Sequence, residues 1–164
     1  MAAGEVPPEA VREEVGNSFP NMKIKHFLSS VDHDRIHQAI KGAEQGTSGD
    51  IVLFISHHKV ENPLTAANDE FKKLNLENAK DRNSLLIFLA PKTRKFAVVG
   101  GTALHDKLGQ AWWDKLIPIL TNHFKEGRYT EGLLAALEEA GQALRAHFPD
   151  DAPNRTGQHD IVEK

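Results

Sequence analysis

The stretch Asp81–Gly101, with the sequence DRNSLLIFLAPKTRKFAVVGG, decides the fold of this chain. It holds two apolar runs, Leu85–Ala90 and Phe96–Val99, separated by one short polar turn, and this pattern predicts a β-hairpin. Since the open ends of a hairpin lie side by side, the charged residues before the first run meet the pair Gly100-Gly101. The sequence therefore predicts a charged loop beside a glycine pair at one edge of a sheet, and this edge is the candidate site.

The segments around the hairpin alternate between strand and helix patterns. Asp50–Ser56 is apolar and β-branched, which predicts a strand. Apolar residues at helical spacing predict four helices, near 31–45, from Asn62-Pro63 onward, over 103–124 and near 130–147. We expect Pro118 to kink the third of these helices, because proline removes a backbone donor.

The order of these elements predicts an α/β fold. Residues 50–90 form a β-α-β unit, whose two strands lie parallel with a right-handed connection. The hairpin makes the third strand antiparallel to the second. A small mixed sheet with helices on both faces follows.

The chain of 164 residues is long enough for one domain with a real core. We assign residues 27–149 to that domain. Residues 1–22 carry three prolines and several acids without periodicity, which predicts a flexible N-terminal arm. Residues 150–164 are read as a polar C-terminal tail, in which Ile161 is able to pack.

Composition excludes several classes of function. The net charge of −3 gives no electrostatic basis for binding nucleic acid. The chain has no cysteine, which rules out disulfides, thiolate zinc sites and cysteine nucleophiles. No apolar run approaches the ~20 residues needed to cross a bilayer, and no signal peptide is seen at the N-terminus. We expect a soluble, cytoplasmic monomer.

The edge predicted by the hairpin also gathers acidic side chains. Parallel strands begin at the same edge, so Glu44, Asp50, Asp81, Asn83 and Asp106 are brought toward one another. Carboxylate and amide oxygens suit a hard divalent cation, Ca²⁺ or Mg²⁺, and such a cation can polarise a phosphoryl oxygen. The alternative is that these residues are only caps and turn formers, since Asp and Asn are common in turns.

Several segments, taken in order, resemble the TPM domain family over residues 27–160. No single segment is specific, but their order along the chain is. The segments are Glu44–Val52, Phe71–Leu74, Asp81–Ile87, Phe96–His105 with Trp113, Phe124–Leu133, and Phe148-Pro149.

The resemblance implies a Rossmann-like α/β/α sandwich and, for some members, acid phosphatase activity that depends on calcium or magnesium. It implies that Glu44, Asp50 and Asp81 surround the cation. Asp106, which only the topology places near this edge, is a further candidate metal ligand. Asp81, Arg82 and Asn83 are then the catalytic candidates, of which Arg82 or Asn83 would steady the phosphate.

One departure from the family pattern leads to two alternative hypotheses about function. Related sequences often have Asp where this chain has Gly101, so one carboxylate ligand is missing, and cation affinity follows ligand charge. The first hypothesis is a divalent-metal-dependent phosphomonoesterase acting on a phosphomonoester. The second is a non-catalytic binding module with a weakened or lost metal site and an unknown protein partner. In the second case, Gly101→Asp is expected to create cation binding.

Overall fold

A computed structural model describes residues 12–14, 24–150 and 161–164 of the chain. In these ranges the α-helices are α1 (Ile24–Ser30), α2 (His33–Glu44), α3 (Pro63–Lys73), α4 (Thr102–Lys125) and α5 (Tyr129–His147). The strands described are β1 (Arg12–Glu14), β2 (Ile51–Ile55), β3 (Leu85–Ala90), β4 (Lys95–Gly100) and β5 (Ile161–Glu163).

The strands form one mixed sheet in the order β1-β4-β3-β2-β5. β2 and β3 are parallel, with Ile51 opposite Leu85. β3 and β4 form the hairpin, in which Leu85 lies opposite Gly100. The predicted β-α-β unit, hairpin and mixed sheet are therefore confirmed.

Two short strands extend the sheet beyond the three predicted. β1 pairs antiparallel with β4, and β5 pairs parallel with β2. Both come from segments that the sequence placed in an arm and a tail, because three residues carry too little periodicity to predict a strand. The other residues of those two segments, apart from Asp150 and Lys164, lie outside the described residues.

Helices cover both faces of the sheet, and they bury the strand residues on both sides. One face of β2, formed by Ile51, Leu53 and Ile55, packs with residues of α2, α4 and α5. The opposite face, formed by Val52 and Phe54, packs with residues of α3. Burial on both faces explains why these strands read as continuous apolar runs rather than as alternating patterns.

The helical backbone of α4 is interrupted at Gly109 and not at Pro118. Gly109 has φ 74° and ψ 173°, a conformation almost confined to glycine. Pro118 lies inside the helix on its exposed side and keeps helical angles. The helical angles are therefore interrupted at a glycine that the sequence analysis did not single out, because glycine adopts a positive φ at little cost.

Tyr129 is buried at the start of α5, and its burial links the stability of the protein to pH in the alkaline range. Its ring packs edge-on against Phe27 at a centroid distance of 4.9 Å, and it is 2% exposed. Burial disfavours the charged phenolate and raises the pKa of Tyr129 above its ordinary value.

We expect the stability of the native protein to fall as pH rises above about 10, the ordinary tyrosine pKa. In that range the unfolded chain has lost the phenol proton while native Tyr129 keeps it, so unfolding is favoured as pH rises. Urea unfolding between pH 8 and 11 measures how steeply the free energy of unfolding falls with pH. Tyr129→Phe should make this fall shallower. Equal slopes for the two proteins would contradict the assignment.

Candidate functional site

The candidate site lies where β2 and β3 begin and where β4 ends, and we call this region the glycine edge. It consists of residues 44–50, 81–84 and 100–106. The register sets Ile51 opposite Leu85 and Leu85 opposite Gly100, so the three segments meet at one end of the sheet. The juxtaposition predicted from the hairpin is therefore observed.

Backbone hydrogen bonds join the loop before β3 to the start of α4. Arg82 has a left-handed backbone with φ 52°. Its carbonyl oxygen accepts hydrogen bonds from the amides of Ala103, at 3.1 Å, and Leu104, at 3.4 Å. The amide of Gly101 donates to the carbonyl of Ser84 at 2.9 Å. Unpaired amides at a helix N-terminus are a common phosphate site, and here two of those amides already have a partner.

Gly101 is enclosed by the same loop. A Cβ atom built at this position would lie 2.1 Å from the carbonyl oxygen of Arg82 and 2.5 Å from its carbonyl carbon. Both neighbours are backbone atoms, so no side chain fits at position 101 without moving the loop. Gly101→Asp therefore requires the loop before β3 to move, and its effect on cation binding stays a prediction.

Asn83 is buried and links two loops of the edge. It is 1% exposed, and its Nδ2 donates to Ser48 Oγ at 2.8 Å. Asn83 Oδ1 and Ser84 Oγ are buried and have no hydrogen-bond partner among the described residues. The Asn83 side chain lies inside the edge, and its role in steadying a phosphate stays a prediction. Ser48, its partner, carried no spacing signal that would have identified it.

Arg82 and Asp81 lie nearer the surface than Asn83. Arg82 is exposed, and its Nη1 donates at 3.5 Å to the carbonyl of Glu77. Asp81 is half-buried. These two side chains are therefore the part of the predicted catalytic set that solvent reaches.

The four predicted metal ligands do not form a carboxylate cluster. Glu44 directs its Oε2 to the backbone amide of Ile51 at 2.8 Å, so this carboxylate anchors the start of β2. Asp106 is exposed on α4, while Asp50 and Asp81 are half-buried. In the described ranges, no three His, Asp or Glu side chains form a group able to hold a metal ion. These side chains do not fit a carboxylate-built calcium or magnesium site, and cation binding stays a prediction.

A second polar cluster joins β5 to the start of α2 and to the segment that follows β2. Glu163 of β5 lies 3.1 Å from His33 Nε2 and 3.4 Å from His57 Nε2. Nothing near His33 or His57 in the sequence indicates Glu163 as their partner. The cluster helps hold β5 at the sheet edge and lies outside the glycine edge.

Comparisons with known proteins agree on the family. The model of the TPM domain family matches residues 23–143 of this chain. No curated protein matches. In the part of the chain that the structure describes, no helix is both long and apolar enough to traverse a bilayer.

Two solved structures share the fold. The BA42 protein of the psychrophilic bacterium Bizionia argentinensis is 28% identical, with a TM-score of 0.72 over 82% of this chain and 95% of BA42. The N-terminal domain of a protein from P. gingivalis is 16% identical, with a TM-score of 0.56 over 87% of this chain and 99% of that domain. The second likeness supports the fold alone.

Proposed function

Because this chain belongs to the TPM domain family, we propose that it is a non-catalytic binding module whose glycine edge is a closed, internally bonded structure. The proposal keeps the family fold and gives up the metal-dependent chemistry that the family resemblance implies. Its partner is then a protein rather than a phosphomonoester substrate.

The contact made by the Arg82 carbonyl carries this proposal. A phosphate bound at the start of α4 would have to replace that carbonyl on the amides of Ala103 and Leu104. Replacement would break two hydrogen bonds and rearrange a loop that the left-handed backbone of Arg82 holds in place. Hydrogen bonds of this kind each contribute about 1 kcal/mol net, and a buried group left without a partner costs more.

The acidic side chains support the same conclusion. A cation drawn to Glu44 would compete with the amide of Ile51, which the Glu44 carboxylate already binds at 2.8 Å. Gly101 has no room for the carboxylate that related sequences often carry. Calcium affinity rises with the number of charged ligands and with the rigidity of the site. Such a donor set favours weak cation binding or none.

A metal-dependent phosphomonoesterase remains the competing function, and one observation favours it. Asp81 and Arg82 are adjacent and reach solvent at the edge. An acid beside an arginine is able to bind a cation and a phosphate oxygen side by side. This alternative needs Asp81 to matter for hydrolysis, which gives the test its decisive variant.

The test measures cation binding and hydrolysis on the same protein. Ca²⁺ and then Mg²⁺ are titrated into chelator-treated, nitrogen-15-labelled protein while amide shifts are followed. Hydrolysis of an aryl phosphate is assayed for the unchanged protein, for Asp81→Ala and for the control Asp34→Ala, which alters an exposed acid on α2.

We expect no saturable amide shift at millimolar cation. We also expect Asp81→Ala to hydrolyse the aryl phosphate no more slowly than the unchanged protein. Saturable shifts confined to the glycine edge, together with hydrolysis lost in Asp81→Ala and kept in Asp34→Ala, would replace the proposal with the phosphomonoesterase.

A further inference from the structure

The strand β5 is attached to the sheet by a small number of contacts. It has three residues and pairs with β2 at one edge of the sheet. Just beyond this pairing, the amide of His57 donates to the carbonyl of Lys164 at 2.7 Å, and the amide of Lys164 donates to the carbonyl of Ile55 at 3.1 Å. A strand at this lower limit of length gains little from pairing alone, so its side-chain contacts matter for its place in the sheet.

The carboxylate of Glu163 joins β5 to two histidines of other elements. Its Oε2 lies 3.1 Å from Nε2 of His33, the first residue of α2, and its Oε1 lies 3.4 Å from Nε2 of His57, which follows β2. Each of the three side chains is between 33% and 40% exposed. Water reaches the cluster, so these charge contacts are screened and of modest strength.

The ring of His33 lies between two hydrogen-bond acceptors. Its Nδ1 is 3.1 Å from the backbone carbonyl oxygen of Val31, and its Nε2 faces the Glu163 carboxylate. A carbonyl and a carboxylate accept hydrogen bonds and have no hydrogen to donate. Neutral imidazole carries one N–H group and donates to one of these neighbours, whereas imidazolium carries two and donates to both. Both contacts of His33 are therefore hydrogen bonds only when the ring is protonated.

His57 does not impose the same requirement on the cluster. Its contact with Glu163 runs through Nε2, and the neutral tautomer with its hydrogen on Nε2 is able to donate there. The two histidines therefore differ in how their bonds to Glu163 depend on a proton.

We propose that the attachment of β5 to the sheet is sensitive to pH, and that protonated His33 stabilises it through Glu163. Histidine changes its charge between about pH 5 and 8. At the acid end of this range, the His33 ring donates to both Val31 and Glu163. As the pH rises the ring loses one N–H group, and a ring nitrogen with a lone pair then faces an acceptor. β5 detaches more often as a result, which uncovers the edge of β2.

Other charged side chains lie near this cluster. They are Asp32, Asp34, Arg35 and His37 at the start of α2, His58 and Lys59 after His57, Lys164 after Glu163, and Asp69, Glu70 and Lys73 of α3, which line a cavity with Lys164. Among these residue types, histidine is the one that ordinarily changes its charge between pH 5 and 8. His37 and His58 are therefore the neighbours able to add a pH dependence of their own, and both serve as controls.

Hydrogen exchange of the nitrogen-15-labelled full chain tests the proposal through the amide of Lys164, whose bond to Ile55 exists only while β5 is attached. The measured quantity is the protection factor, which removes the intrinsic effect of pH on exchange. We expect it to fall about threefold from pH 5.5 to pH 8, the size of a screened charge contact. The amide of Leu85, which donates to the carbonyl of Asp50 at the glycine edge, should keep its protection factor.

Two variants remove the need for the His33 proton while they keep a hydrogen bond to position 163. In Glu163→Gln the new amide group donates to the neutral His33 ring, and in His33→Gln the new amide group donates to Glu163 at every pH. Both should make the protection factor of Lys164 independent of pH. The controls His37→Gln, His57→Gln and His58→Gln should retain the threefold fall. All five substitutions alter side chains that solvent reaches.

Two kinds of result overturn the proposal. One is an equal protection factor of Lys164 at both pH values in the unchanged protein, or a fall that persists in Glu163→Gln or in His33→Gln. The other is loss of the fall in any of the three control variants, because a different histidine would then be the group that titrates. Neither result depends on whether the glycine edge binds a cation.

Discussion

Gly101→Ala is expected to destabilise the protein by about 3 kcal/mol, the upper range for forcing extra atoms into a well-packed site. The added Cβ would lie 2.1 Å from the carbonyl oxygen of Arg82. Relief requires the loop before β3 to move, which stretches the hydrogen bonds from Ala103 and Leu104 to that carbonyl. The cost therefore combines steric overlap with weakened bonds at the start of α4.

Urea unfolding measures this loss, and Gly42→Ala is the matched control. Gly42 lies in α2, and a Cβ added there has nothing within 4 Å, so the same methyl group meets open space. Alanine is the better helix former, so Gly42→Ala should leave stability unchanged or raise it by up to about 1 kcal/mol.

The outcome also bears on the proposed function. If Gly101→Ala proved as stable as the unchanged protein, the loop that carries Arg82 would have to move at little cost. The start of α4 would then be open to a phosphate, and the argument for a closed edge would fail. A large loss of stability supports the internally bonded edge.

Trp113→Ala is expected to cost about 3–5 kcal/mol, the range for truncating a large aromatic residue in a core. Trp113 is fully buried in α4, beyond the break at Gly109. A Cβ built on Gly100 would lie 2.8 Å from the Trp113 ring, which shows how closely the ring approaches β4. Removing the ring leaves a cavity between α4 and the sheet, directly beside the glycine edge.

Trp112→Ala supplies the comparison, because the two rings are neighbours with different burial. Their centroids are 5.1 Å apart, and Trp112 is only half-buried. We expect it to cost less than half as much in urea unfolding, since less apolar area leaves water. Similar losses for the two variants would contradict the assignment of Trp113 as the core residue.

Local patterns were sufficient for most of the architecture. The apolar runs Leu85–Ala90 and Phe96–Val99 predicted the hairpin, and the hairpin predicted that the loop before β3 meets Gly100 and Gly101. The register confirms both. This succeeded because the residues concerned lie within about twenty positions of one another, so periodicity and chain connectivity determine their geometry.

Local patterns failed where a backbone angle or a distant partner decided the outcome. The helical angles of α4 are interrupted at Gly109, because φ 74° there is available to glycine. β5 joins the sheet through pairing with β2, more than a hundred residues away along the chain. A segment of three residues contains too little pattern to predict such a pairing.

The sequence by itself determined the α/β fold, the family resemblance and the residues that gather at the glycine edge. Only the tertiary structure decided what that edge offers a ligand. The Arg82 carbonyl turns onto the amides of α4, Glu44 binds the amide of Ile51, and Asn83 is buried against Ser48. The physical reason is that proximity follows from topology, whereas the availability of a polar group depends on whether another part of the fold already satisfies it.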